Sequence, residues 1–305
     1  MQVRLAITII AFACLLVEAR AVAETPCFAY LQDGDIYMAC GDQTLRLTNR
    51  GDVSDFAVAD DGSAVAVKYE YVVGRTKDSA GRLGDCDVLI YSLSSNAPPR
   101  TIRHSCSGLY ATCGTVLLQG STEEAEDVLA RKQLRISGYR RFVCSRDRSV
   151  VAGWPRDGSH DFSVGEMSMR VVAPVAGGAS VSPSGIVSYS TEGSNDNSLC
   201  ELRPADKQIC LKNADAFGAI SVSDSGETLF TTHTDGGCFY RKHRVVKAHP
   251  PATGDDQCLG IAMWKPGADK VLVKELAEHP QWLTHGAVET LKSCAAKGKD
   301  CFGKG

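Results

Sequence analysis

The stretches Ala179-Ser-Val-Ser-Pro-Ser-Gly-Ile-Val-Ser-Tyr189 and Ile220-Ser-Val-Ser-Asp-Ser-Gly-Glu-Thr-Leu-Phe230 decide the fold. Each reads as a short apolar strand, a polar turn closed by glycine, and a second apolar strand, which is a β-hairpin pattern. The unit recurs upstream as Phe56-Ala-Val-Ala-Asp-Asp-Gly-Ser-Ala-Val-Ala-Val67 and Phe142-Val-Cys-Ser-Arg-Asp-Arg-Ser-Val-Val-Ala-Gly-Trp154. Downstream it recurs as Ile261-Ala-Met-Trp-Lys-Pro-Gly-Ala-Asp-Lys-Val-Leu-Val273. Gly185, Gly226 and Gly267 are spaced 41 residues apart. A period of about 40 residues holds four short strands with their turns, the size of one propeller blade.

The stretches between these units supply further strand pairs, such as Asp87 to Leu93 followed by Arg100 to His104. Long helical periodicity is absent, and only Glu123 to Leu134 and Val288 to Ala296 are expected as short helices. The class is therefore all-β, a β-propeller of four-stranded blades. A partial N-terminal blade plus six later units gives seven blades, with six as the alternative. The chain enters at a middle strand, so the missing strand of the first blade is expected from near the C-terminus.

The turns at Ser182-Pro-Ser-Gly185 and Ser223-Asp-Ser-Gly226, with the opening segment Phe28 to Thr48, resemble the blades of bacterial WD-repeat-like propellers of the TolB type. The resemblance spans roughly residues 28–291. It implies a rigid ring whose loops and central funnel hold ligands. The Trp-Asp and Gly-His pairs of eukaryotic WD repeats are missing, and Gly108 to Arg140 departs from the pattern.

The N-terminus carries Arg4, an apolar run from Leu5 to Val17, and Ala21-Val-Ala23 as a small-x-small cleavage site. This predicts a signal peptide over residues 1–23, a propeller domain over 24–293 and a clamped tail over 294–305. The apolar run is shorter than the ~20 residues that span a bilayer, so no membrane span is expected after cleavage. Removing Arg4, Arg20 and Glu18 from 33 basic and 36 acidic residues leaves a net charge of about −4. Both signs are interspersed, which excludes nucleic acid as an expected partner.

Twelve of the 13 cysteines lie beyond the signal, as expected of a secreted or periplasmic chain. A two-residue turn at Asp33-Gly34 sets Cys27 opposite Cys40; a turn about Asn96 sets Cys86 opposite Cys106; a turn about Ala205 sets Cys200 opposite Cys210. The other six fall into neighbours in sequence: Cys113 with Cys144, Cys238 with Cys258, and Cys294 with Cys301. No Cys-x-x-Cys or zinc-finger spacing occurs, so no metal or cofactor is expected.

Nucleophile elbows, Walker loops and His-Glu-x-x-His are absent. Ser223 to Leu229 is near an Asp-box but lacks its first Ser and its Trp, which reads as a structural turn. Arg50-Gly-Asp52 reads as a turn needing glycine. The one local basic cluster is Arg241, Lys242, His243 and Arg244, on a segment pinched between Cys238 and Cys258. The functional expectation is a non-catalytic scaffold for a protein or peptide partner. The alternative is a hydrolase or lyase with its site at the funnel, for which two or more carboxylates, or a His with a carboxylate, would converge within ~6 Å at the axis with shifted pKa values.

Overall fold

The computed structural model describes residues 26–69, 85–93, 97–105, 108–119, 125–155, 162–164, 178–192, 197–203, 208–234, 238–241, 244–247, 258–296 and 302. The signal segment lies outside them. Six antiparallel sheets succeed one another along the chain. The first joins β1 (Cys27–Gln32), β2 (Asp35–Cys40) and β3 (Gln43–Arg46) to the last strand, β25 (Glu278–Trp282). The second holds β4 (Val53–Val58), β5 (Ala64–Tyr69), β6 (Asp85–Ser92) and β7 (Arg100–Ser105). The third holds β8 (Gly108–Thr112), β9 (Thr115–Gln119), β10 (Ala125–Asp127) and β11 (Lys132–Leu134).

In the fourth sheet three strands are described: β12 (Tyr139–Cys144), β13 (Val151–Pro155) and β14 (Ser163–Val164). The fifth holds β15 (Ala179–Val181), β16 (Val187–Glu192), β17 (Asn197–Leu202) and β18 (Ile209–Leu211). The sixth is β19 (Ala216–Val222), β20 (Thr228–Thr234), β23 (Cys258–Trp264) and β24 (Val271–Glu275). A separate hairpin, β21 (Cys238–Arg241) with β22 (Arg244–Lys247), is inserted between β20 and β23.

The first strands of the sheets touch in a closed cycle: β4 with β8, β8 with β12, β12 with β15, β15 with β19, β19 with β25, and β25 with β4. That cycle is a propeller ring, and it has six blades, the smaller of the two counts the repeats allow. The hairpin β21–β22 extends the sixth blade and adds no seventh. Closure is of the mixed kind: β25 pairs with β1, with Phe28 opposite Trp282, and supplies the inner strand that the N-terminal segment lacks.

Burial explains why the strands read as apolar runs. Inner and middle strands are covered on both faces by neighbouring blades, so β5 and β9 are almost wholly buried, whereas outer strands such as β3 and β24 are mostly exposed. Each blade junction has its own apolar layer; that between blades five and six gathers Leu199, Ile220, Phe230 and Trp264. Full burial of one such side chain stabilises by roughly 1.5–3 kcal/mol. The turn glycines Gly185, Gly226 and Gly267 adopt φ of 89°, 79° and 87°, and Arg148 accepts 62° in the corresponding turn of blade four.

Of the two helices expected, one forms: α1, His285–Ala296, buries Ala287, Val288 and Leu291 against blades one and two. The other is corrected. Glu123 to Leu134 contributes β10, a turn and β11, because Asp127 Oδ1 accepts from the N–H groups of Leu129 and Ala130 and from Thr115, which fixes a turn.

Three disulfides are described. Cys27–Cys40 and Cys200–Cys210 join directly opposed residues of hairpins, with Cα separations of 4.3 and 4.1 Å. Cys113–Cys144, at 4.7 Å, links blade three to blade four. Cys258 and Cys294 are also disulfide-bonded. The hairpin of β6 and β7 places Cys86 opposite His104, a register two residues from the one centred on Asn96, and Cys106 lies outside the described residues.

Candidate functional site: the central channel

All six inner strands border one cavity of about 300 Å³ on the ring axis. A smaller cavity of about 170 Å³ shares Ala111, Ser180, Ser221 and Gln281 with it. The two are ends of one channel: a front mouth where the inner strands begin and a back mouth where they finish. Asp60 and Asp224 border the back mouth, and burial beside Asp61 and Asp224 raises the Asp60 carboxyl despite Arg146 at 3.6 Å.

The channel wall is built by a repeated device. An inner strand has an unpaired edge facing the next blade, and its N–H groups need acceptors. Polar side chains of the preceding blade provide them. Leu109 N donates to Asp55 Oδ2 at 3.0 Å, Cys144 N to Thr112 Oγ1 at 2.8 Å, Val222 N to Ser180 Oγ at 3.3 Å, and Trp282 N to Ser221 Oγ at 2.9 Å. At the closing junction Val58 N donates to Gln281 Oε1 at 2.9 Å, and Gln281 Nε2 returns a bond to Val58 O at 2.7 Å. Among the described residues, five of the six junctions carry such a bond.

One ion cluster stands at the front mouth. Asp55 Oδ1 lies 3.3 Å from His279 Nδ1, and Asp55 Oδ2 lies 3.3 Å from Lys68 Nζ. Oδ1 also accepts from Phe56 N at 2.9 Å. The carboxylate thus ties its own blade to β25 of blade one and β8 of blade three. Burial would raise its pKa, but the His279 hydrogen bond and charge, Lys68 and the Leu109 N–H outweigh it and hold the carboxyl low. Burial would lower the His279 imidazole, but the Asp55 hydrogen bond and charge raise it. All three line the cavity, and the carboxylate is the most covered of them: Asp55 is only 7 % exposed, while Lys68 is 14 % and His279 34 % exposed.

Beside this cluster Tyr110 lines the cavity and accepts a hydrogen bond from Arg141 Nη2 at 3.1 Å, the guanidinium lying over the Trp154 ring. A second pair of acids sits at the junction of blades five and six. Glu201 is raised by burial against the pull of Arg203, whereas Glu227, despite burial, is held down to about 2 by Ser225, Lys265 and Ser223. Glu227 belongs to the turn that resembled an Asp-box: its N–H and carboxylate both bond Ser223 Oγ, so the segment is a structural turn.

Of the sequence-derived site residues, Arg241 and Arg244 pair across β21 and β22, while Lys242 and His243 lie outside the described residues. Gly51 has φ 72° and its backbone packs on Gly34, so the Arg50-Gly-Asp52 turn does need glycine. The channel cluster was missed. Asp55 and His279 lie at opposite ends of the chain, and only ring closure joins them; the single local hint was a histidine in the β25 segment.

Among the described residues no group of three or more His, Cys, Asp or Glu is placed to hold a metal, and no helix is long and apolar enough to cross a membrane. Comparison with known proteins finds no matching family model and no matching curated relative. The propeller fold stands, and the TolB-type resemblance gains nothing from the comparisons.

Proposed function

We propose that this propeller, close in kind to the TolB type, is an extracytoplasmic, non-catalytic scaffold that binds a protein or peptide partner at the front of the ring. The observation that supports this is the direction of the β21–β22 hairpin. It leaves the end of β20 that pairs with the start of inner strand β19, so it rises at the same end as the His279 and Lys68 mouth. Two positive features of a slightly acidic chain thus share one face, which suits an acidic partner. The three disulfides support an oxidising compartment.

Replacing Arg241, Lys242 and Arg244 together by Ala tests the reading. Capture of the partner from the native extracytoplasmic fraction should fall several-fold, raising salt should weaken wild-type capture, and the thermal melt should stay unchanged. Capture indifferent to both the variant and salt would remove the hairpin from the reading.

A funnel hydrolase or lyase has one observation in its favour, the Asp55–His279 pair at the axis. Against it, Asp55 is engaged in holding three blades, and among the described residues no hydroxyl or thiol is hydrogen-bonded to His279. Turnover of a panel of p-nitrophenyl esters and glycosides that disappears in His279→Gln would favour the enzyme.

A further inference from the structure

Apart from Asp55, whose oxygens are engaged by His279, Phe56, Lys68 and Leu109, the cavity is lined by side chains with donors to offer. Ser180 and Ser221 use their oxygens to accept backbone N–H groups, which leaves each hydroxyl proton to donate. Tyr110 accepts from Arg141 and keeps its own proton to donate. His279 spends Nδ1 on Asp55, and its Nε2 has no closer acid than Glu278 at 4.0 Å, beyond hydrogen-bond reach. Lys68 adds charge behind them, and the Asp55 carboxylate, only 7 % exposed, is paired with both Lys68 and His279. A cavity of about 300 Å³ lies at the small end of ligand sites.

We propose that the front mouth of the channel is a binding site for a carboxylate, carried by a small acid or by the end of a peptide chain. Its acceptor oxygens would take the donors of His279, Tyr110, Ser180 and Ser221, in a wall too narrow for a folded domain to enter. The site does not depend on partner docking by the hairpin. It is set by inner-strand residues, so the Arg241, Lys242 and Arg244 triple variant should bind small acids as the wild type does.

The test is calorimetric titration of the full protein with three probes: succinate, tri-alanine with a free C-terminus, and tri-alanine amide. Saturable binding of succinate alone identifies a free acid as the source, and binding of free tri-alanine alone identifies a chain end; either supports the site. Tyr110→Phe keeps the ring and removes one donor, and should weaken binding about tenfold. Lys68→Met should weaken it at least as much. Should Lys68→Met unfold, Tyr110→Phe and the amide probe still decide.

Affinity should also rise as the pH falls from 8 to 6, because the protonated imidazole donates and carries charge. The groups that set that titration are Asp55 on β4, Lys68 on β5 and Glu278 on β25. Failure of both free acids to bind, or amide binding as tight as the acid, or affinity unchanged in both variants, would overturn the proposal.

Discussion

His279 and Asp55 show how two residues can bind a ring. The imidazole pKa is raised in the folded chain, so its contribution to stability is complete below the ordinary histidine range and is lost as pH rises through the raised value. The Asp55 carboxyl is lowered, so its contribution is present above the ordinary carboxylate range and is lost as pH falls through the lowered value. Between those limits the bridge is intact. Melting followed by circular dichroism should show a lower Tm at pH 9 than at pH 6, and His279→Gln should lower the Tm at pH 6 and remove most of that difference.

Gly62 is a second single-residue constraint. It has φ 69°, and a Cβ there would stand 2.7 Å from Ala287 Cα of α1. Gly62→Ala must strain the turn and displace the helix, at a cost of roughly 1–3 kcal/mol in denaturant unfolding. Substitution at Gly138, where a Cβ meets nothing within 4 Å, should cost less, since only its φ of 86° resists the change.

At the scale of elements, the hairpins were the most legible part of the sequence. Asp33 and Gly34 both take positive φ, so the two-residue turn fixes register and brings Cys27 against Cys40. Cys200 and Cys210 follow from the same reasoning. The register expected from a turn centred on Asn96 differs by two residues from that of β6–β7, because the Ser-Asn-Ala-Pro-Pro stretch has no Asp-Gly or Asn-Gly pair to fix it. The helical reading of Glu123 to Leu134 failed because one aspartate, Asp127, turns the chain before a helix can nucleate.

The Cys113–Cys144 bond belongs to another level. It joins two blades, so no single hairpin contains its geometry, and nearness in sequence was the only clue. Replacing Cys200 and Cys210 by serine should lower stability by about 2–4 kcal/mol, as expected when a loop of about ten residues loses its cross-link in the unfolded chain. The fold should persist, since blade six still covers Leu199 and Leu211. Guanidinium titration of this variant beside the wild type measures the loss, and collapse at room temperature would contradict it.

Taken as a whole, the molecule depends on one strand. β25 gives blade one its inner edge, places His279 and Gln281 against blade two, and receives Ser221 from blade six. A chain ending at Ala277 should therefore lose cooperative unfolding altogether rather than melt a few degrees lower, with the loss visible as a broad calorimetric trace. The turn repeats disclosed the blades, but the axis was illegible, because its polar contacts join residues that share no local pattern.

The late position of β25 also dictates a timetable. Phe28 must wait for Trp282 before blade one is whole, and closing a loop of about 250 residues costs about 5 kcal/mol of chain entropy before any contact offsets it. As the polypeptide emerges from the ribosome, β1 leaves first and its inner edge stays bare until almost the whole chain has followed. Nascent molecules are thus vulnerable to edge-to-edge aggregation and to proteases throughout synthesis, and a holding chaperone would do most good on the N-terminal blade. Mistakes in the last thirty residues are then punished by failure of the entire ring.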